Sequence, residues 1–189
     1  PVNRCFHCKK NLYRTLGDIR EQLDSSSVLL SGTNLDDLDE FRPGLKAAKQ
    51  AGVIHPFVEA SITKPQLREI ARQLALPFAD LPAAPCLASR LYTGTTVQAD
   101  LLQLIDQTEE WIREKTGLAV VRCRINQNEM RLEVENPSLV ENHHQLVKDL
   151  RARVLDASDH INSVVIDPKP YQPGRAFVRG NSQKIPIKQ

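Results

Sequence analysis

Two short runs flanking a polar turn constrain this chain more than any other feature. Val121, Cys123 and Ile125 alternate with Arg122 and Arg124; after Asn126-Gln127-Asn128, Met130, Leu132 and Val134 alternate with Arg131 and Glu133. A side-chain period of two predicts antiparallel strands over 119–125 and 129–135. One register sets apolar against apolar: Ile125 opposite Met130, Cys123 opposite Leu132, Val121 opposite Val134. A slip of one residue would turn every apolar side chain to the other face. The same register puts Arg122 across from Glu133 and Arg124 across from Arg131. Two guanidinium groups abreast repel unless an anion or an acid lies near. That face is therefore either a basic and acidic surface for a phosphate and a metal, or a solvated sheet face. Cys123 belongs to the apolar face, and no function is assigned to it.

Around the hairpin, Leu101, Leu104, Ile105, Thr108 and Ile112 predict a helix over about 97–116 with those residues inward. A helix over about 138–155 and a last strand over 162–167 complete an α-β-β-α-β order. Glu109 and Glu110 fall late in the first of these helices; one of them can face the surface of Glu133, and ordinary surface charge also accounts for both. Upstream, positions 5, 8, 12, 16, 19 and 23 give residues 4–23 a helical stripe, with Asn3 as its cap. Ser27–Ser31 reads as a short buried strand entering Gly32-Thr33-Asn34. Pro43 and Gly44 open a helix that ends near Gly52, and Thr63-Lys64-Pro65-Gln66 is a capping box that starts another. Strand, helix, short strand and helix make the tail of an α/β sheet domain. Three prolines within Pro77–Pro85 make a rigid irregular lead into Cys86. The domains expected are 1–94 and 95–172, followed by a mobile tail, 173–189.

Composition narrows the classes of function. Lys and Arg together exceed Asp and Glu by 25 − 23 = 2, which argues against a nucleic-acid partner but leaves nucleotides open. No apolar run approaches the ~20 residues of a membrane helix. Four cysteines in 189 residues do not make a disulfide scaffold, so a reducing, cytoplasmic setting with free, metal-bound or catalytic thiols is expected. The chain opens on Pro1 rather than Met, and is expected to be cut from a longer protein.

Cys5 and Cys8 lie one helical turn apart and can hold one metal or cluster, or else pack as core. Cys86, after Pro85 and four residues before Arg90, is placed as a nucleophile or ligand, or as a half-buried loop thiol. The stretch Gly32-Thr33-Asn34-Leu35-Asp36-Asp37 follows a strand, where α/β proteins carry ligand loops. Asp36 and Asp37 suit Mg²⁺ or a ribose hydroxyl, and Arg42 suits a phosphate at a helix start. A capped turn with solvated acids explains the same residues.

Together, Asn3-Arg4-Cys5-x-x-Cys8-Lys9, Gly32-Thr33-Asn34-x-Asp36-Asp37, Arg42-Pro43-Gly44 and Cys86-Leu87-Ala88-Ser89-Arg90 resemble the LarE family, PP-loop ATP-dependent sulfur transferases of nickel-pincer cofactor biosynthesis. The strands carrying Arg122, Arg124 and Glu133 resemble that family's C-terminal domain. The resemblance implies the C-terminal part of a PP-loop (adenine nucleotide alpha hydrolase-like) parallel-sheet domain, without the loop that grips pyrophosphate, followed by a smaller α+β domain. It implies that ATP adenylates a carboxylate of a pyridinium mononucleotide and that a protein-held sulfur then displaces AMP. Cys5, Cys8 and Cys86 together resemble the branch in which three thiolates hold a 4Fe–4S cluster; in the other branch Cys86 would itself give up sulfur.

By the same resemblance, Ser89 and Arg90 line the site beside Cys86, and Gly32, Thr33, Asn34, Asp36, Asp37 and Arg42 bind the ATP and Mg²⁺. Arg122 and Arg124 bind phosphate, Glu109 and Glu133 hold a divalent ion, and the protein assembles as a trimer or hexamer. The proline-rich segment Asp167–Tyr171 departs from the family's usual ending. Two other readings stand beside this one: a PP-loop enzyme that thiolates tRNA, and a non-catalytic module stabilised by zinc at Cys5 and Cys8.

Overall fold

In the computed structural model, which describes residues 3–39 and 42–172, the two alternating runs form β1 (Val121–Asn126) and β2 (Glu129–Val134). They pair antiparallel in the predicted register, from Val121 opposite Val134 to Ile125 opposite Met130. The turn is tighter than the three residues read for it: Asn126 pairs with Glu129, leaving Gln127 and Asn128 as the loop, with Gln127 left-handed at φ 53°. β3 (Ser163–Ile166) joins the other side of β2 in parallel, giving the order β1-β2-β3.

α5 (Ala99–Thr116) buries Leu101, Leu104, Ile105, Thr108 and Ile112, the face read from the sequence. Gly117 ends it at φ 70°, a conformation that favours glycine. The single helix expected over 138–155 is two, α6 (Pro137–Glu141) and α7 (His144–Ala157). The break comes at His143, whose ring Nδ1 accepts the Leu146 N–H at 3.2 Å and so caps α7. Leu146, Leu150 and Val154 of α7 join α5 and the apolar sheet face in one core, with Ile105, Ile112, Cys123 and Leu132 among its fully buried members.

The chain divides into two compact units at Leu81–Pro82, earlier than the boundary read at 94–95. The reason is local: Leu91 is fully buried in the core of the second unit and bridges Ile125, while the Tyr92 N–H donates to the Ile125 carbonyl at 2.9 Å. Residues 173–189, read as a mobile tail, lie outside the described residues.

The first unit carries α1 (Arg4–Leu23), α2 (Pro43–Gln50), the short α3 (Pro56–Glu59) and α4 (Lys64–Gln73). Thr63 and Gln66 form the expected capping box of α4. Asn3 stands at the cap position of α1 without a side-chain cap bond. Tyr13, Ala47, Ala48 and Val53 form the core, with Phe6, Leu16 and Leu29 against it. Gly44 permits this contact: a Cβ there would lie 3.0 Å from Lys9 Cγ and 3.7 Å from the Cys5 carbonyl. The helix read over 4–23 is present, but its stripe is not the buried face, since Leu12, Ile19 and Leu23 are exposed. α2 covers the Phe6–Tyr13–Leu16 side. Ser27–Ser31 is not a buried strand either: Leu30 makes a single parallel bridge to Ile54, and Val28 and Leu30 are each 60% exposed. The whole is a mixed α/β structure whose described residues contain one small three-stranded sheet.

Candidate functional site

Cys86 is exposed and stands at the cap of a 3-10 turn, Leu87–Arg90, after an irregular run from Leu81. Three buried arginines hold that run by its carbonyl oxygens. Arg90 Nη1 donates to Pro85 O at 2.6 Å, to Ser89 Oγ at 3.2 Å and more weakly to Cys86 O at 3.4 Å. Arg122 Nη2 donates to Ala83 O at 2.8 Å, and Arg124 Nη1 to Ser89 O at 3.1 Å. Side chains supplied by the hairpin and by the turn itself thus fix the backbone on which the thiol sits.

Buried cations need compensation. Glu109, 1% exposed on α5, receives Arg90 in a fork, Nε to Oε1 at 2.8 Å and Nη2 to Oε2 at 3.0 Å. Its Oε1 also accepts the Cys123 N–H at 2.9 Å, and Arg113 and Arg122 lie 3.5 and 3.9 Å from Oε2. Glu133, fully buried, takes Arg124 Nε at 2.7 Å. Burial alone would lower the Arg90 guanidinium; Glu109 above all, with Tyr171 and Cys86, offsets it and leaves Arg90 above its ordinary value. Arg122 has the reverse outcome: burial, then repulsion from Arg90, holds it below its ordinary value against the pull of Glu109 and Tyr171. Its buried Nε has no hydrogen-bond partner among the described residues. The Tyr171 ring lies against both Arg122 and Arg124, 5.6 and 5.8 Å from their guanidinium carbons.

This geometry pairs arginines with both carboxylates read for a divalent ion, Glu109 and Glu133. It also settles the problem of Arg124 beside Arg131. Each has its own acid: Glu133 for Arg124, and Glu129 at 2.8 Å for Arg131, with Asp167 at 3.9 Å. Glu110 stays exposed. Sequence reasoning missed Arg113 and the placement of Tyr171; the i,i+4 spacing of Glu109 and Arg113 was the available signal for the first.

In the first unit, Asn34 and Asp37 cap a 3-10 turn, Leu35–Leu38, reciprocally. Asp37 Oδ1 also meets Arg42 Nη2 at 2.7 Å, and Asp36 accepts the Lys64 N–H at the start of α4. Three residues read for Mg²⁺ and phosphate thus hold the loop together; the turn is capped as the alternative reading has it, but Asp37 is buried rather than solvated. Gly32 remains exposed, and a Cβ there would meet nothing within 4 Å. Beside it Ser31 Oγ bonds His55 Nδ1 at 2.6 Å and Thr33 Oγ1 at 2.9 Å.

Neither Cys5 nor Cys8 is core: Cys5 is half-buried and Cys8 exposed, whereas Cys123 is fully buried. Within either unit, the described residues gather no three of His, Cys, Asp and Glu into a metal-binding group. No described helix is long and apolar enough to cross a membrane.

No protein-family model matches the chain. It is 40% identical over 134 residues to an uncharacterised protein of Synechocystis, covering 71% of this chain and 49% of that one. With an uncharacterised protein of Methanocaldococcus jannaschii it shares 29% over 150 residues, 78% of this chain and 58% of the relative. The chain is also similar to a pyridinium-3,5-bisthiocarboxylic acid mononucleotide synthase. That synthase, from Lactiplantibacillus plantarum, is 31% identical over 129 residues, 68% of this chain and 46% of its own length. The likeness to the synthase supports the LarE resemblance read from the motifs. The chain spans about half the length of the curated relatives it matches.

Proposed function

We propose that the protein is an enzyme of ATP-dependent sulfur transfer, acting on an adenylated carboxylate of a pyridinium mononucleotide in nickel-pincer cofactor biosynthesis. The observation that carries this reading is an exposed thiol, Cys86, on a backbone gripped at Ala83, Pro85, Cys86 and Ser89 by buried arginines. Similarity to the synthase supplies the substrate class.

In the reaction, ATP adenylates the carboxylate and pyrophosphate leaves. A sulfur nucleophile then attacks the acyl carbon, forming C–S and breaking C–O, and AMP departs. If Cys86 is the donor, its Sγ makes a thioester. Loss of the Cα proton then expels the thiocarboxylate by breaking Cβ–S, and dehydroalanine remains at position 86. Gly32, beside open space, and Thr33 are assigned to the nucleotide, and Arg122 and Arg124 to phosphate. Tyr171 must swing away from both guanidinium groups to admit it.

We assign Cys5, Cys8 and Cys86 to a 4Fe–4S cluster, which would supply a labile sulfide for transfer. The donor set fits: these are the three thiols not buried, and sulfur is the ligand such clusters take. Cytoplasmic location and assembly as a trimer or hexamer belong to the same proposal. The test is iron and acid-labile sulfide on the whole protein purified without oxygen. About four of each per chain, lost on Cys5→Ala, Cys8→Ala or Cys86→Ala, supports the cluster. Absence of iron, with Cys86 losing the mass of H₂S on turnover, supports the sacrificial cysteine. Neither result, with full activity in Cys86→Ala, rejects the proposal.

One observation favours a second reading, thiolation of tRNA. A groove of about 620 Å³ beside α1 is lined by His7, Lys10, Arg14 and Arg20, with no carboxylate among its described lining residues. A net charge of +2 conceals this basic stripe. Salt-dependent binding of tRNA to the whole protein, weakened by Lys10→Glu and Arg14→Glu, would favour it; salt-insensitive or absent binding removes it.

A further inference from the structure

We propose that Glu109 is the positioning residue of the Cys86 turn, acting through Arg90 and Arg122. Glu109 lies on α5 and meets that turn only through the Arg90 side chain, never at its backbone. Apart from the ion pair with Arg113 on its own helix, its partners are groups that hold the turn or the sheet edge beside it. Its fork orients Arg90 so that Nη1 alone is left to reach Pro85 O, Ser89 Oγ and Cys86 O. Its Oε2 lies beside Arg122, whose Nη2 holds Ala83 O. Its Oε1 also takes the Cys123 N–H of β1, tying α5 to the strand that carries Arg122 and Arg124.

A carboxylate in this place does two things that no neutral group does. It lets two guanidinium groups stay buried near each other, and it fixes the plane of one of them by a two-point contact. A guanidinium with a fixed plane presents its remaining N–H groups in fixed directions, so the carbonyls they hold are fixed too. Leu91 and Ser89 close the turn with N–H bonds to Ala88 O and Cys86 O at 3.2 and 2.8 Å. The chain of support runs from Glu109 through Arg90 to the backbone on which the Cys86 thiol stands. Its bearing on catalysis rests on the reading that Cys86 is the acting thiol; its bearing on the turn does not.

Hydrogen exchange on the whole protein reads the turn directly. In Glu109→Gln the Ser89 and Leu91 amides are expected to exchange about tenfold faster, while amides of β2 and α7 keep their protection. A folded variant with an unchanged turn, or with equal loosening throughout, overturns the proposal. Arg90→Lys keeps the cation but loses the fork, and is expected to loosen the same two amides; it serves if Glu109→Gln does not fold. The double variant Glu109→Gln/Arg90→Gln separates positioning from charge balance. Its thermal stability is expected to recover towards wild type while the turn stays loose; recovery of both means the pair merely balances charge, and the proposal fails. Sulfur transfer is the separate readout for Cys86. A fall in kcat with KM held agrees with a thiol out of place, whereas a loosened turn with unaltered transfer keeps Glu109 as its holder and overturns the role given to Cys86.

Discussion

At the scale of single residues, Cys123 is the cleanest case of burial acting on a titrating group. Burial, and next the nearby Glu109 carboxylate, raise its thiol well above the ordinary value. A raised folded value means that this contribution to stability is complete below the unfolded thiol's pKa of about 8.5 and is lost as pH rises beyond it. The loss approaches about 1.4 kcal/mol per pH unit. Urea unfolding of wild type and Cys123→Ala from pH 7 to 10 checks this: the variant should be weaker throughout yet fall less steeply above pH 8.5, and parallel curves refute it. The Arg124–Glu133 pair yields to a different test. Glu133→Leu leaves a guanidinium in the interior without its 2.7 Å partner, and should destabilise by about 3–5 kcal/mol. Adding Arg124→Met should restore most of that; a double variant no better than the single one would show that the pair is not a unit.

At the scale of elements, what could be read in advance follows the number of ways a pattern can be satisfied. The hairpin was legible because strict alternation admits one register, and α5 because a single apolar face ran its length. α1 was not: Phe6 and Tyr13 compete with Leu12 and Ile19 for the inward side, Leu16 serving either, and only the position of α2 decides between them. The arginine frame was half legible. Arg90, Arg122 and Arg124 stood out, but their acceptors are backbone carbonyls of Ala83, Pro85 and Ser89, which any residue type would supply and which leave no trace in sequence. The break between α6 and α7 was hidden because His143 caps with a ring nitrogen. His143→Ala should cost about 1 kcal/mol and His143→Ser much less, as thermal denaturation would report; equal loss in both would discount the cap. Gln127, left-handed at φ 53°, points the other way. Gln127→Gly should stabilise by about 1 kcal/mol, and a lower melting temperature would contradict that.

At the scale of the molecule, the two units differ in what holds them. The core cluster of the first has four buried residues, two of them alanines, whereas the second has a continuous core from Leu91 to Val164. Hydrophobic stabilisation follows apolar area removed from water, so unfolding in urea should proceed in two steps. Amides of α1 and α2 should lose protection at lower urea than those of β1 and β2; a single coincident transition would mean that the units fold as one. The frame around Cys86 belongs to the second unit, and its hydrogen bonds go to peptide oxygens and the Ser89 hydroxyl. A seat built that way does not hang on a bond to the atom it presents. On the reading that Cys86 gives up its sulfur, the carbonyls of Ala83, Pro85 and Ser89 would still have their arginines once the sulfur is gone, so the spent turn would keep its backbone support.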